Sequence, residues 1–123
     1  MSKKRMPPEV AQKVIDRAEG KCEYMIPGPC VFQAQHLHHR KISGREHRVE
    51  NLANICHACH DFVHANPALS YERGWLVRSM KDPLEVPVQY RGLPSLLDAE
   101  GGVTWQKEAE QFAQTLDELQ EGG

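Results

Sequence analysis

The sequence predicts a small α+β domain, and three observations predict it. An amphipathic helical pattern lies near each end, short apolar stretches bounded by turn residues lie between them, and four cysteines in two pairs offer a staple for a small core. A chain of 123 residues suits one domain, here taken over 1–123. A core of that size folds by a narrow margin, so cross-links would help it.

Pro7-Pro8-Glu9 opens the first helical pattern, with Val10, Ala11, Val14, Ile15 and Ala18 on one face and Gly20 as the stop. Cys22 to Cys30 encloses the turn Pro27-Gly28-Pro29. Residues 31–39 read as a short strand ending in histidines, and residues 41–50 as a polar loop around Gly44. A short helix is expected from about Cys59 to Asn66, closed by Pro67. The metal-binding part would thus occupy about residues 20–68, followed by a β-rich extension over 69–104. In that extension Trp75-Leu76-Val77 reads as a strand, and residues 86–90 with Leu96-Leu97 as a hairpin. Gly101-Gly102 is a break, after which Trp105, Ala109, Phe112, Leu116 and Leu119 mark a last helix over 105–120. The heptad stripe is barely two heptads long, so packing against the domain is expected ahead of self-association into a homodimer.

No secretory signal and no membrane-spanning apolar run is visible, so a reducing cytosol is expected. There, paired cysteines serve as metal ligands more often than as disulfides. The net charge of −2 argues against a simple basic nucleic-acid binder. The charge is uneven, however: ten Lys/Arg against six Asp/Glu in residues 1–60, and five against eleven in residues 61–123. That asymmetry hints that the first half faces a polyanion.

Cys56-x-x-Cys59 is a metal knuckle whose two thiolates reach a common ion, with Cys22 and Cys30 as the other half. Seven residues separate Cys22 from Cys30, against the usual two to four, but the Pro/Gly turn between them can bring the sulfurs together. Four thiolates close a tetrahedral zinc site, which adds folding free energy and does no chemistry. A thioredoxin-like redox pair is disfavoured because no βαβ pattern surrounds the knuckle.

His60 and His64 stand four apart on the expected helix, so their rings share a face and can share an ion. His38-His39 ends the strand upstream. His36 competes with His38 as a ligand from the same strand face and is the poorer candidate; His47 and His57 read as surface residues, and Trp75 and Trp105 as core.

His38-His39, Asn51 twelve residues later and His60 nine further on resemble the HNH endonuclease motif, and Cys56-x-x-Cys59-His60 resembles its zinc-containing members. The small HNH proteins of bacteriophages and prophages are similar, over about residues 20–104. The resemblance implies a ββα-metal fold, also called the His-Me finger: a two-stranded ribbon and a helix around one ion. It implies His39 as general base, Asn51 as the residue tying down the loop between strand and helix, and His38, His60 and His64 as metal ligands. His38 stands where many members have Asp, and three nitrogen donors suit Zn2+, Ni2+, Mn2+ or Co2+ better than Mg2+. His38 and His39 would point to opposite faces of a regular strand, so both reach one site only if the strand ends or kinks there.

Arg40, Lys41, Arg45 and Arg48, in the loop beside the site, are candidate phosphate contacts. The activity that the resemblance implies is metal-dependent hydrolysis of DNA phosphodiesters, nicking or double-strand cutting, leaving 5′-phosphate and 3′-hydroxyl ends. The phage resemblance suggests a role beside the terminase in DNA packaging. The rival reading is a zinc-stapled DNA-binding or packaging accessory protein without catalysis; it keeps the four cysteines but has no need of His39.

Overall fold

The computed structural model describes residues 5–44 and 46–105. It has the element order α1 (Pro8–Ala18), β1 (His36–His39), β2 (Leu52–Ile55), α2 (His57–Ala65), α3 (Pro67–Glu72), β3 (Val88–Tyr90), β4 (Leu93–Leu97) and β5 (Val103–Trp105), with a single 3-10 turn at Val49–Asn51 before β2. β1 and β2 form an antiparallel ribbon, with His38 opposite Ala53 and His39 opposite Leu52; β3, β4 and β5 form a second antiparallel sheet. The fold is α+β, with two small sheets and several helices, as the sequence predicts. Among the described residues no helix is long and apolar enough to cross a membrane.

α1 starts on the Pro7-Pro8 pair, where a missing N–H costs nothing, and ends in a left-handed Glu19 whose N–H bonds the Ile15 carbonyl. Val14 and Ala18 are buried, Val14 in a small cluster with Val49 and Leu52; Ile15 points outward and is 44% exposed, against the expected face. Arg17 and Glu23 join α1 to the ribbon. Their charges pair out of water, Glu23 also accepts the Asn54 N–H, and Arg17 donates to the carbonyls of Val49 and Leu52. Each charge is thus compensated by partners, as burial demands.

α2 begins at His57, two residues before the expected start, because Cys56 is its cap: the thiol sulfur accepts the Cys59 N–H at 3.3 Å. Asn66 closes α2 and Pro67 starts α3, a helix the sequence reading left out of the extension. Trp75-Leu76-Val77 is buried as an apolar run should be, but it is not a strand. Its N–H groups go instead to the Ser70 and Arg40 carbonyls, from Leu76 and Val77 respectively. Gly74, just before, has φ +75°, and a Cβ there would collide with the Pro87 backbone, so only glycine fits.

The expected hairpin is β3–β4, with β5 added after the Gly101-Gly102 break. Trp105 ends β5 and is 48% exposed, so it neither starts a helix nor lies in the core; the rest of the expected last helix lies outside the described residues. The main core gathers Tyr24, Ala53, Ile55, Val63, Trp75 and Val88 around Cys22, Cys56 and Cys59, so the cysteines sit where the ribbon, α2 and the second sheet meet.

Candidate metal centre

All four cysteines are unpaired by disulfides, and their sulfurs lie within 4.8 Å of one another. Cys30 Sγ and Cys56 Sγ are 3.9 Å apart. Two thiolates bound tetrahedrally to zinc at about 2.3 Å would stand about 3.8 Å apart, so this cluster matches the bite of that ion. Three backbone N–H groups point at the sulfurs: Met25 to Cys22 at 3.5 Å, Phe32 to Cys30 at 3.2 Å and Cys59 to Cys56 at 3.3 Å. Met25 and Phe32 adopt left-handed backbone, at φ 47° and 71°, conformations that cost non-glycine residues energy and are found at constrained sites. Cys22-x-x-Met25 is therefore a half knuckle: the turn is there, Met25 stands where a second cysteine would, and Cys30 comes in from farther along. The Cys59 thiol's hydrogen bond holds Cys22 down to about 5, while burial pushes Cys30 up to about 11 and Cys59 is pushed up by its partnership with Cys22 and by burial. Four sulfurs so crowded do not all ionise by themselves; a divalent cation resolves the conflict. The four cysteines could hold a metal ion such as zinc.

The second cluster is His38, His60 and His64, whose ligand nitrogens also lie within 4.8 Å of one another. His60 Nε2 and His64 Nε2 are 3.2 Å apart, close to the roughly 3.3 Å expected of two nitrogens on one tetrahedral zinc. α2 places these rings one turn apart, and β1 brings His38 to them, with ring centroids at 5.3 Å from His60 and 5.6 Å from His64. His38 Nε2 lies 2.9 Å from the Trp75 carbonyl. A carbonyl only accepts, so Nε2 carries the hydrogen and Nδ1 keeps its lone pair for an ion. Burial drives the His38 pKa down to about 3 and lowers that of His60, keeping both rings in the neutral form that ligates.

This cluster borders a cleft of about 230 Å³ lined by Leu37, His38, His39, Ile42, His60 and His64. His38 is buried at its floor and His64 is exposed at its rim. His39 reaches the same cleft although it follows His38 directly, because β1 ends at His39. Its Nε2 is 3.2 Å from His47 Nδ1, and His47, expected at the surface, is half-buried against it. Asn51 is fully buried and clamps the loop after β1: its Oδ1 accepts the Lys41 N–H at 2.7 Å, and its Nδ2 donates to the carbonyls of Glu46 and Lys41 at 3.0 and 3.4 Å.

The basic loop corrects the sequence reading at one position. Arg40 is fully buried, and its guanidinium donates to the carbonyls of Gly74, Glu50, Pro83 and Val86. Its donors are consumed inside the protein, so it is a structural cation and not a phosphate contact. Lys41 is half-buried beside the cleft, and Arg48 is exposed within 3.7–3.9 Å of Glu50, Glu46 and Asp82. Arg45 lies outside the described residues. Sequence reasoning missed the Trp75 carbonyl that orients His38, since a main-chain oxygen has no side-chain signature.

Comparison with family models, curated proteins and solved structures gave no match to this chain.

Proposed function

We propose that the chain is a metal-dependent DNA endonuclease of the HNH, or ββα-metal, type. The observation that carries this reading is one cleft shared by three imidazoles able to grip an ion and a fourth, His39, beside them. The antiparallel ribbon β1–β2 followed by α2 is the arrangement that the resemblance implies for such a unit.

His38, His60 and His64 would hold the ion, and three ligands leave positions for substrate. When bound, the ion supplies positive charge for the phosphate oxygens and the departing 3′ oxygen. His39 takes the proton from the attacking water, a task suited to a neutral imidazole near pH 7. His47 holds the His39 ring through Nε2. Asn51 fixes the loop that carries Ile42 into the cleft wall and presents Lys41 toward a phosphate. Cys22, Cys30, Cys56 and Cys59 would bind a structural zinc that fastens the first turn of α2 and so aims His60.

A plasmid-nicking assay with Mg2+, Mn2+, Ni2+, Co2+ or Zn2+ tests the reading. Wild type should cut in the presence of at least one ion, and His39→Ala should be slower by about 10²–10⁴-fold. Equal metal-dependent cutting by both removes His39 as the base. DNA binding without cutting under any ion favours the accessory-protein reading instead.

A further inference from the structure

Beside the cleft stands a histidine that the nuclease reading does not use. His36 Nε2 is the one buried side-chain nitrogen or oxygen without a hydrogen-bond partner among the described residues. Such an atom calls for an explanation, and a bound ion or an ordered water is the usual one. Its surroundings favour an ion. The His36 ring stacks on His57, with centroids 4.7 Å apart and planes 23° from parallel, and meets His60 edge-on at 4.3 Å. His57 and Asp61 are four apart on α2, so they project from the same face one turn from each other. Gln35 Oε1 accepts the His57 N–H at 2.7 Å, clamping the start of α2 to the residue before His36 and holding the two histidines in register. As placed, the His57 ring lies flat on His36 and the three side chains are not gathered around one point; His57 and Asp61 are both exposed, so an ion beside His36 would draw them in by turning their side chains.

We propose that His36, His57 and Asp61 form a second transition-metal site, separate from the His38–His60–His64 cluster. Two imidazoles and a carboxylate are a donor set for Zn2+, Ni2+ or Co2+. Because His36 touches His60, the two ions would be close neighbours, and their mutual repulsion makes the second ion an antagonist of the first. The site itself does not rest on the nuclease reading; only the consequence for cutting does.

The test uses the full chain loaded with zinc at the cysteines, dialysed to equilibrium against Ni2+ and counted by elemental analysis. Wild type should bind two Ni2+ per chain, His57→Ala one and His64→Ala one, while Asp61→Asn should weaken the second ion by at least about tenfold. His57 is exposed, so its removal leaves the fold intact and the count interpretable. One Ni2+ in wild type overturns the proposal and leaves an ordered water as the partner of His36. An unchanged count in His57→Ala and Asp61→Asn overturns it too. So does a His36→Ala variant that weakens a single ion without altering the count, since His36 would then be a fourth ligand of the first site. If wild type cuts DNA, cutting should rise and then fall with Ni2+, and His57→Ala should abolish the fall. If it does not cut, the nuclease reading fails while the count still decides the second site.

Discussion

The cysteine cluster and the histidine cleft share the first turns of α2, Cys59 next to His60, yet they are built for opposite purposes. Three of the four cysteines are sunk in the core and Cys30 packs against it half-buried; the four donors face one another, and three main-chain N–H groups bond the sulfurs. A cation there has all its positions taken. The histidine cluster has three donors, a buried floor in His38 and an exposed rim in His64, and it opens on a cleft that His39 shares. A cation there has room for something else. Closure makes a metal structural and incompleteness makes it reactive, and one short helix carries both conditions in adjacent residues.

Removing a ligand from each site should break the symmetry of that comparison. Cys59→Ser, or stripping of the metal with a strong chelator, should abolish cooperative unfolding, because a structural zinc contributes on the order of 10 kcal/mol of folding free energy in small domains. His64→Ala should leave the urea midpoint within about 0.5 kcal/mol of wild type, as expected of an exposed position, while weakening ion binding in the cleft. Circular dichroism melts of the two variants check this; equal melts would show that the cysteines are not a staple.

The sequence made the donors legible and the scaffolding only partly so. His60 and His64 could be read because helical period is a property of spacing, and Cys56-x-x-Cys59 because a knuckle is local. Cys22 and Cys30 could be read as the other half, but with an unusually wide gap, because the turn at Cys22 is completed by Met25, whose contribution is a main-chain N–H that any residue could give. Trp75-Leu76-Val77 was legible as buried but not as irregular: its apolar run is the same whether its N–H groups meet a neighbouring strand or, as here, the Ser70 and Arg40 carbonyls. Arg40 was misread for a related reason. A cation in a basic loop looks like a phosphate contact, and nothing in the sequence says that four distant carbonyls converge on it.

Arg40 therefore sharpens the line between what holds the site and what uses it. Arg40→Ala would leave four carbonyls without their donor, three of them buried, and should cost at least about 3 kcal/mol at roughly 1–3 kcal/mol for each buried orphan. Lys41→Ala should cost less than about 0.5 kcal/mol and act on DNA affinity, since Lys41 is only half-buried. Urea titration and a salt-dependent DNA-binding curve separate the two. A stable Arg40→Ala that binds DNA weakly would restore the residue to the phosphate contacts.

The smallest effect tests how the cleft's floor is kept ready for a cation. Burial holds His38 at about 3 in the folded chain, while in the unfolded chain it titrates near its ordinary value of about 6.5. Between those values the unfolded state binds a proton that the folded state refuses, so stability must fall as pH drops through that window. At about 1.4 kcal/mol per pH unit, wild type with its cleft free of metal should lose about 2 kcal/mol between pH 7 and pH 5 through this residue alone. His38→Gln lacks the titrating group, and whatever else responds to acid is common to both proteins. The difference between their urea midpoints at the two pH values isolates His38, and parallel curves would mean that its ring is reached by water and can be protonated in place. Because the same burial that costs stability in acid keeps the imidazole neutral at pH 7, a protein that fails this test would also lack a ready-made ligand at the floor of its cleft.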